Sequence, residues 1–359
     1  MFHVKHESDE TIDILCAMAK DIKAYSLPEL SILMEELNQP KFRAKQLAQW
    51  LYVKHASSYE EMTNLPASLR QKLAESCPLQ SPKIIQRLVS RDGTHKYLIE
   101  FADGVQVETV GIPSHDGQRL TVCFSTQAGC PMACSFCATG GEGFTRNLLP
   151  GEIVDQVLIV QEDMNMRVSN LVGMGQGEPF LNYDNVIAAL HILNGADYLS
   201  IGARHITVST CGILSGIESF SHEPEQFTMA VSLHAARQEV RDALMPKVAS
   251  MGLPELKSAL ESYIERTNRR VTLEHIMIAG CNDSPEDFEA LSSFCDGLLC
   301  HVNLIPLNEL EDSPFKPTPR ESIEQWRSKL NYQGIETTIR ESRGGDIQGA
   351  CGQLKNFYQ

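Results

Sequence analysis

Apolar positions along the chain change their period twice. Leu27, Leu30, Leu33 and Leu37 recur at the spacing of one helix face, and Gln39-Pro40 ends that run. Ala44, Leu47, Trp50 and Leu51 form a second such stripe, with Lys41, Arg43 and Lys45 at its start and Lys54 and His55 at its end. Residues 1–82 are therefore expected to be a small helical unit, and its basic residues alone read as a solvated helix end. From Ile84 to Ile112 the pattern alternates instead, in runs rich in Ile, Val, Tyr and Phe punctuated by Asp92-Gly93 and Asp103-Gly104. Asp-Gly is a strong hairpin signal, so residues 83–118 read as a three-strand meander. It ends in Val107-Glu108-Thr109-Val110, where Glu108 alternates with valines at what would ordinarily be a solvent-facing position.

From Arg119 onward, short apolar runs alternate with amphipathic stretches. The runs predict strands over 120–124, 170–174, 205–209, 228–233, 272–278 and 301–305, and the stretches predict helices including 152–163, 185–193, 254–266 and 285–297. Such alternation implies parallel pairing through right-handed crossovers. Six units without a dinucleotide fingerprint point to an α/β fold, an open partial (β/α)6 barrel over residues 119–342, with chemistry at the C-terminal ends of its strands. Residues 343–359 form a glycine-rich C-terminal loop, which is expected to be flexible and carries Cys351.

Composition adds bounds. With 359 residues, 42% hydrophobic and 21% charged, the chain is an ordinary globular one with material for a large core. It has no apolar run of about 18 residues, so no membrane span is expected, and Met1–Glu7 lacks the apolar core of a signal peptide. A cytoplasmic protein is the expectation. A net charge of −15 counts against extensive phosphate binding without excluding a local basic face. Eleven cysteines in a reducing compartment suggest metal or redox chemistry. Cys16, Cys77, Cys211, Cys281, Cys295 and Cys300 read as small buried hydrophobes.

The remaining cysteines carry the chemistry. Cys130, Cys134 and Cys137 stand in a C-x3-C-x2-C loop just after the first parallel strand. A structural zinc site wants four ligands, which Cys123 could complete. A four-iron cluster can instead be held by three thiolates, leaving one iron open to a substrate. Other predicted strand ends supply polar groups: the turn from Gly173 to Pro179 with Gly177 and Glu178, then Ser209-Thr210, Ser232-Leu233-His234, and Asn308. Closely spaced glycines let a backbone approach a ligand, and a glutamate there can accept hydrogen bonds from an ammonium group. Cys123 and Cys351 are two spare thiols that could approach the same barrel mouth, which suggests thiol chemistry beside a cluster.

The cysteine loop resembles the signature of radical S-adenosylmethionine (SAM) enzymes. Together with Val107–Val110, Cys123, the segment from Gly143 to Leu148, Gly177-Glu178-Pro179, Ser232-Leu233-His234 and the segment from Ala350 to Leu354, the chain resembles the RlmN/Cfr family of RNA methyltransferases over nearly its whole length. The resemblance implies that Cys130, Cys134 and Cys137 hold a [4Fe–4S] cluster, and that Gly177, Glu178, Ser209, Ser232, Leu233, His234 and Asn308 bind SAM. It implies that Cys351 accepts a methyl group, that a radical made from a second SAM activates it for addition to an adenine carbon, and that Cys123 resolves the adduct through a transient disulfide. Glu108 is then the base that removes the ring proton. The implied substrates are 23S rRNA and tRNA, with the helical unit meeting phosphates. The implied product is C2-methyladenine, as in RlmN-type members, with Arg343 favouring that type over the C8-methylating Cfr type. A flavodoxin or ferredoxin as electron donor and a monomeric state complete the expectation. A non-catalytic metal-binding, RNA-binding protein is the alternative from another class.

Overall fold

The computed structural model describes residues 21–248, 251–310 and 313–355. Cys16, Met1–Glu7 and the start of the helical unit lie outside the described residues.

The first helix, α1 (Leu27–Glu36), begins where the sequence can satisfy its free amides: Ser26 caps it, and the Glu29 carboxylate reaches back to the Ser26 N–H at 2.6 Å. It buries Leu30, Leu33 and Met34 against α2 (Phe42–Ala48), while α3 (Ala67–Ser76) contributes Leu69 and Leu73. This unit docks on α5 (Pro150–Asp163) through a buried ion pair between Lys23 and Asp155, and Lys23 also donates to the Gln80 carbonyl at 2.7 Å.

The meander follows as β1 (Lys83–Val89), β2 (His95–Glu100) and β3 (Gln106–Pro113). Gly93 and Gly104 supply the left-handed turn positions, both at φ +83°. β3 pairs antiparallel with β4 (Leu120–Cys123), placing Val110 opposite Cys123. The meander is thus no separate sheet but the antiparallel wing of the central one. A short hairpin, β5 (Gln127–Gly129) and β6 (Phe144–Asn147), encloses α4 (Ala138–Glu142) and stands apart from it.

The chain continues through α5, β7 (Val168–Gly173), α6 (Tyr183–Asn194), β8 (Ile206–Thr210), α7 (Leu214–Ser221), β9 (Thr228–Ser232), α8 (Gln238–Leu244) and α9 (Leu253–Thr267). It closes with β10 (Val271–Met277), α10 (Pro285–Cys295), β11 (Cys300–Pro306), α11 (Arg320–Tyr332) and β12 (Thr337–Ile339). Ten strands form one sheet in the order β1-β2-β3-β4-β7-β8-β9-β10-β11-β12, and the seven from β4 onward are mutually parallel. β1 and β12 are free edges, so the barrel is open. Each of the six predicted parallel strands lies within two residues of its observed bounds. The seventh, β12, escaped prediction because it is three residues long. Among the described residues, no helix is long and apolar enough to cross a membrane.

Candidate functional site

The cysteine loop projects from the C-terminal end of β4, held by backbone rather than by regular structure. Gly129, at φ +73°, lies so close to the opposite limb that a Cβ there would sit 2.1 Å from the Gly143 oxygen. Cys130 N–H donates to that same oxygen at 2.7 Å, Ser135 N–H to the Leu244 carbonyl at 2.9 Å, and Ala138 N–H to Gly352 at 2.8 Å. The three sulfurs belong to an apolar shell that includes Met132, Phe136, Ile276 and Leu307. Burial pushes the Cys130 and Cys137 thiols up to about 12 and about 11, while a hydrogen bond with Cys211 holds Cys134 low. Cys130 and Cys137 become thiolates near neutral pH only when a metal displaces their protons.

The geometry bears on which metal. Two sulfurs on one zinc lie at most about 4.6 Å apart. Among the described residues, only His191, Glu223 and Glu225 gather three ligand atoms within 4.8 Å of one another. The three thiols stand together on one short loop, and three thiolates with an open iron are the donor set a four-iron cluster uses. Cys123 is not a fourth ligand either, for it packs with Val110 and Leu354 in a different cluster of side chains.

Beside this loop stand the polar strand ends. Glu178 is buried, and its carboxylate accepts from Phe180 N–H at 3.0 Å and Cys211 N–H at 2.6 Å. Burial raises its pKa against those bonds. Gly177 has φ +102°, and a Cβ there would strike Gln127 at 2.7 Å, so the turn can hug the start of β5 only as glycine. Ser209 and Ser232 face each other across β8 and β9, Oγ to Oγ at 3.4 Å. Leu233 buries its side chain in the core, which leaves its backbone as its contribution. His234, in the left-handed region at φ +56°, packs edge-on against Phe136 at 4.8 Å and accepts from Ile276 N–H at 3.2 Å. Burial drives its pKa down to about 3, so the ring is neutral.

Cys123 and Cys351 line one cavity of about 200 Å³ together with Asn308, Met174 and Arg340. Asn308 donates to the Cys351 carbonyl at 3.0 Å and accepts from the Ser342 hydroxyl at 2.7 Å. Burial pushes the Cys123 thiol up to about 12, whereas Cys351 is exposed to solvent at the cavity's rim. Arg340 lines the same cavity and acts electrostatically on both thiols. Burial opposes its charge, but Cys351, Glu274 and Cys123 more than offset that.

The C-terminal loop is less free than its glycines suggest. Arg343 donates to the Asp92 carboxylate at 3.1 Å and to its carbonyl at 2.6 Å, and Gly344 N–H reaches the same carboxylate at 2.9 Å. Ser90 donates to Asp346 at 2.5 Å. The loop is therefore anchored on the β1–β2 turn, with Cys351 beyond the anchors.

Glu108 is 1% exposed, against the solvent-facing position its alternation suggested. Lys96 pairs with it at 2.7 Å, and Lys355 N–H donates to its other oxygen at 2.7 Å. Burial nonetheless raises its pKa, with Lys96 opposing. It lies beneath the C-terminal segment rather than in the wall of the Cys123–Cys351 cavity. Gln176 holds its backbone N–H at 3.1 Å.

Some readings change. Cys77, Cys295 and Cys300 are buried as expected, but Cys211 and Cys281 are only partly so, and Cys211 touches the cluster loop through Cys134. The basic residues of the helical unit have partners: Lys41 pairs with Glu35 at 2.9 Å, Lys45 with Asp197 at 3.3 Å, and Arg43 donates to the Asn64 carbonyl at 2.8 Å. Lys54 lies 3.7 Å over the Trp50 ring. Arg241 and Arg340 went unnoticed as site residues, since a lone arginine carries no spacing signal.

Parallel strands with a three-cysteine loop at their C-terminal ends define the radical SAM class of enzymes. Residues 124–295 match the Radical SAM superfamily, and residues 21–79 match the ribosomal RNA large subunit methyltransferase N-terminal domain. A protein of Clostridium novyi is 44% identical over 94% of this chain and 98% of its own, and one of Synechococcus elongatus is 45% identical over 92% of each. Both carry the name "Probable dual-specificity RNA methyltransferase RlmN". The crystal structure of a radical SAM methyltransferase from Sphaerobacter thermophilus superposes with a TM-score of 0.89, at 41% identity, over 94% of this chain and 99% of that one. The chain belongs to the RlmN family of radical SAM RNA methyltransferases.

Proposed function

We propose that this enzyme methylates C2 of an adenine in 23S rRNA, and likewise in tRNA, through an S-methylcysteine on Cys351. The observation that carries the reading is the shared cavity: two cysteines 228 positions apart in sequence line one space at the barrel mouth, next to a loop of three further cysteines.

Cys130, Cys134 and Cys137 would hold a [4Fe–4S] cluster, with Gly177, Glu178, Ser209, the Ser232–His234 backbone and side chains, and Asn308 holding SAM. When bound, the two groups supply a methyl group and a one-electron route to a carbon radical, the electron coming from a flavodoxin- or ferredoxin-type donor. Such a route suits an adenine ring carbon, which is too electron-poor to attack the methyl of SAM. The chain's own residues do the rest. Cys351 Sγ receives the methyl carbon and carries it to the ring. Glu108, fixed by Lys96 and Lys355, takes the ring proton. The unpaired electron left on the ring after addition would return through the same one-electron route. Cys123 Sγ then attacks Cys351 Sγ, forming the S–S bond as the S–C bond breaks. The electron pair of that bond stays on the transferred carbon, which takes a proton to become the methyl group of the leaving base. A thiol reductant restores both thiols.

The protein is proposed to act as a monomer in the cytoplasm, where its RNA is found. Mass spectrometry of 23S rRNA and tRNA from cells lacking the gene tests the reading. Loss of 2-methyladenine from both is expected, and unchanged RNA, or loss of an 8-methyl group instead, would refute it.

A further inference from the structure

Arg241 is the largest of the fully buried side chains, at 1% exposure, and nothing in its surroundings explains a charge there. It projects from α8. One nitrogen, Nη2, donates to the Cys211 carbonyl at 2.7 Å. Nε and Nη1 are buried with no hydrogen-bond partner among the described residues. A guanidinium has five N–H donors and does not deprotonate in a protein, so it cannot escape this burial by losing its charge. Each unmet buried donor is destabilising, and an uncompensated buried charge more so.

The acidic groups around it are few. Asp242 is its neighbour in sequence and is half-buried, with its carboxylate accepting from Gln238 at 2.7 Å. The other groups within electrostatic reach are Cys134, Cys211 and the neutral His234 ring, and Cys211 contacts Cys134. α8 also grips the cysteine loop directly, since Ser135 N–H and Oγ both donate to the Leu244 carbonyl, at 2.9 and 3.2 Å. Gly212 leaves the space that the guanidinium uses: a Cβ there would stand 3.3 Å from Nη2. A fixed cation is therefore packed against a loop of thiols, with donors to spare.

We propose that Arg241 is the built-in counter-charge of the three-thiolate site, a positioning residue whose positive charge is matched when the thiols are ionised around an anionic cluster. This rests on the cluster assigned under Proposed function. A cluster core held by thiolates is net anionic and becomes more so on reduction, so a fixed cation beside Cys134 favours the reduced form and raises the reduction potential. Arg241 would thus lower the barrier to accepting the electron that starts the reaction.

The test uses the full chain, as apoprotein and after anaerobic loading with iron and sulfide, in wild type, Arg241→Met and Arg241→Lys. Iron and sulfide analysis of the loaded wild type comes first; a wild type that assembles no cluster overturns the functional reading and this inference with it. Given a loaded wild type, electron paramagnetic resonance during a redox titration reads the potential. Arg241→Met should disfavour reduction at least tenfold, about 59 mV for a one-electron couple, and Arg241→Lys should restore most of it. Thermal unfolding gives the second readout: Arg241→Met should leave the apoprotein as stable as wild type or more so, yet release iron faster once loaded. A potential blind to Arg241 in a normally loaded enzyme overturns the charge assignment alone. So does an apoprotein destabilised as much as the loaded form, which would make Arg241 a structural plug on the Cys211 carbonyl. A normal potential with tenfold weaker SAM binding would also overturn it, by giving the carboxylate of SAM as its partner.

Discussion

Replacing Lys96 with methionine should make the stability of this protein strongly pH-dependent. Lys96 and Glu108 are both almost fully buried, and their charged atoms are 2.7 Å apart. Methionine keeps most of the volume and removes the charge, leaving a buried carboxylate whose remaining polar contact is the Lys355 N–H. Removing one partner of a buried pair costs about 3–5 kcal/mol, a large share of the roughly 5–15 kcal/mol that holds a typical domain together. Glu108 can escape part of that loss by taking up a proton. Burial already holds its pKa above the ordinary 4.5 despite Lys96, and losing Lys96 raises it further. A carboxyl group with a raised folded pKa contributes its stability below the unfolded pKa and loses it as pH rises through the folded one, at about 1.4 kcal/mol per pH unit between the two. The gap between wild type and Lys96→Met should therefore be small near about pH 4 and widen to about 3 kcal/mol or more near about pH 8. Urea unfolding of the apoproteins at both pH values measures it. Adding Glu108→Gln to the variant should recover most of the loss at the higher pH. Equal losses at the two pH values, or a loss below about 1 kcal/mol at the higher one, would refute the view of an uncompensated charge.

Other perturbations separate the roles of the thiols. Cys134→Ala should abolish iron retention and SAM cleavage, and Gly129→Ala should do the same without removing a ligand, since its Cβ would meet the Gly143 oxygen at 2.1 Å; iron analysis checks both. Cys123→Ala should accumulate protein covalently bound to RNA through Cys351, seen as a slow band that nuclease collapses, whereas Cys351→Ala should give no adduct. Because Lys41 and Lys45 already pair with Glu35 and Asp197, Lys41→Gln with Lys45→Gln should flatten the slope of log RNA affinity against log salt by less than the about 1.8 that two full phosphate contacts, at roughly 0.9 each, would give. A flattening of about 1.8 would mean that both ion pairs open to bind RNA.

What could be read from the residues alone follows the range of the interactions involved. The six long parallel strands are legible because each is an apolar run bounded by turn residues, and the cysteine loop is legible because its spacing is local. β12 is too short to show a period, and α11 buries only Ile323, Trp326 and Leu330 among many charged positions. Glu108 was placed at a solvent-facing position because strand alternation says nothing about what covers a face. Here Lys355, 247 positions away, covers it. The C-terminal loop was expected to be flexible for the same reason: Asp92, which anchors Gly344, is 252 positions distant. Cys211 and Arg241 enter the site only through the folding of β8 and α8 against the cysteine loop.

The segment that carries Cys351 has a mechanical limit. On one side Lys96 donates to the Gln348 carbonyl at 3.3 Å, and on the other Glu108 accepts from Lys355 at 2.7 Å. Both pivots are thus members of one ion pair. The tether between them is seven residues, about 24 Å of fully stretched chain, and Cys351 is three residues from the nearer pivot, an arc of about 10 Å. Within that span the Cys351 carbonyl also accepts from Asn308 at 3.0 Å, the Gly352 carbonyl from Ala138 N–H at 2.8 Å and the Leu354 carbonyl from Thr139 at 2.7 Å, so the swing open to the sulfur is shorter still. On the proposed chemistry, the base would therefore have to come to Cys351. In that same chemistry, a proton taken up by Glu108 would weaken its bond from Lys355 N–H and its pairing with Lys96. The segment would loosen on its C-terminal side, while Lys96 could still hold the Gln348 carbonyl.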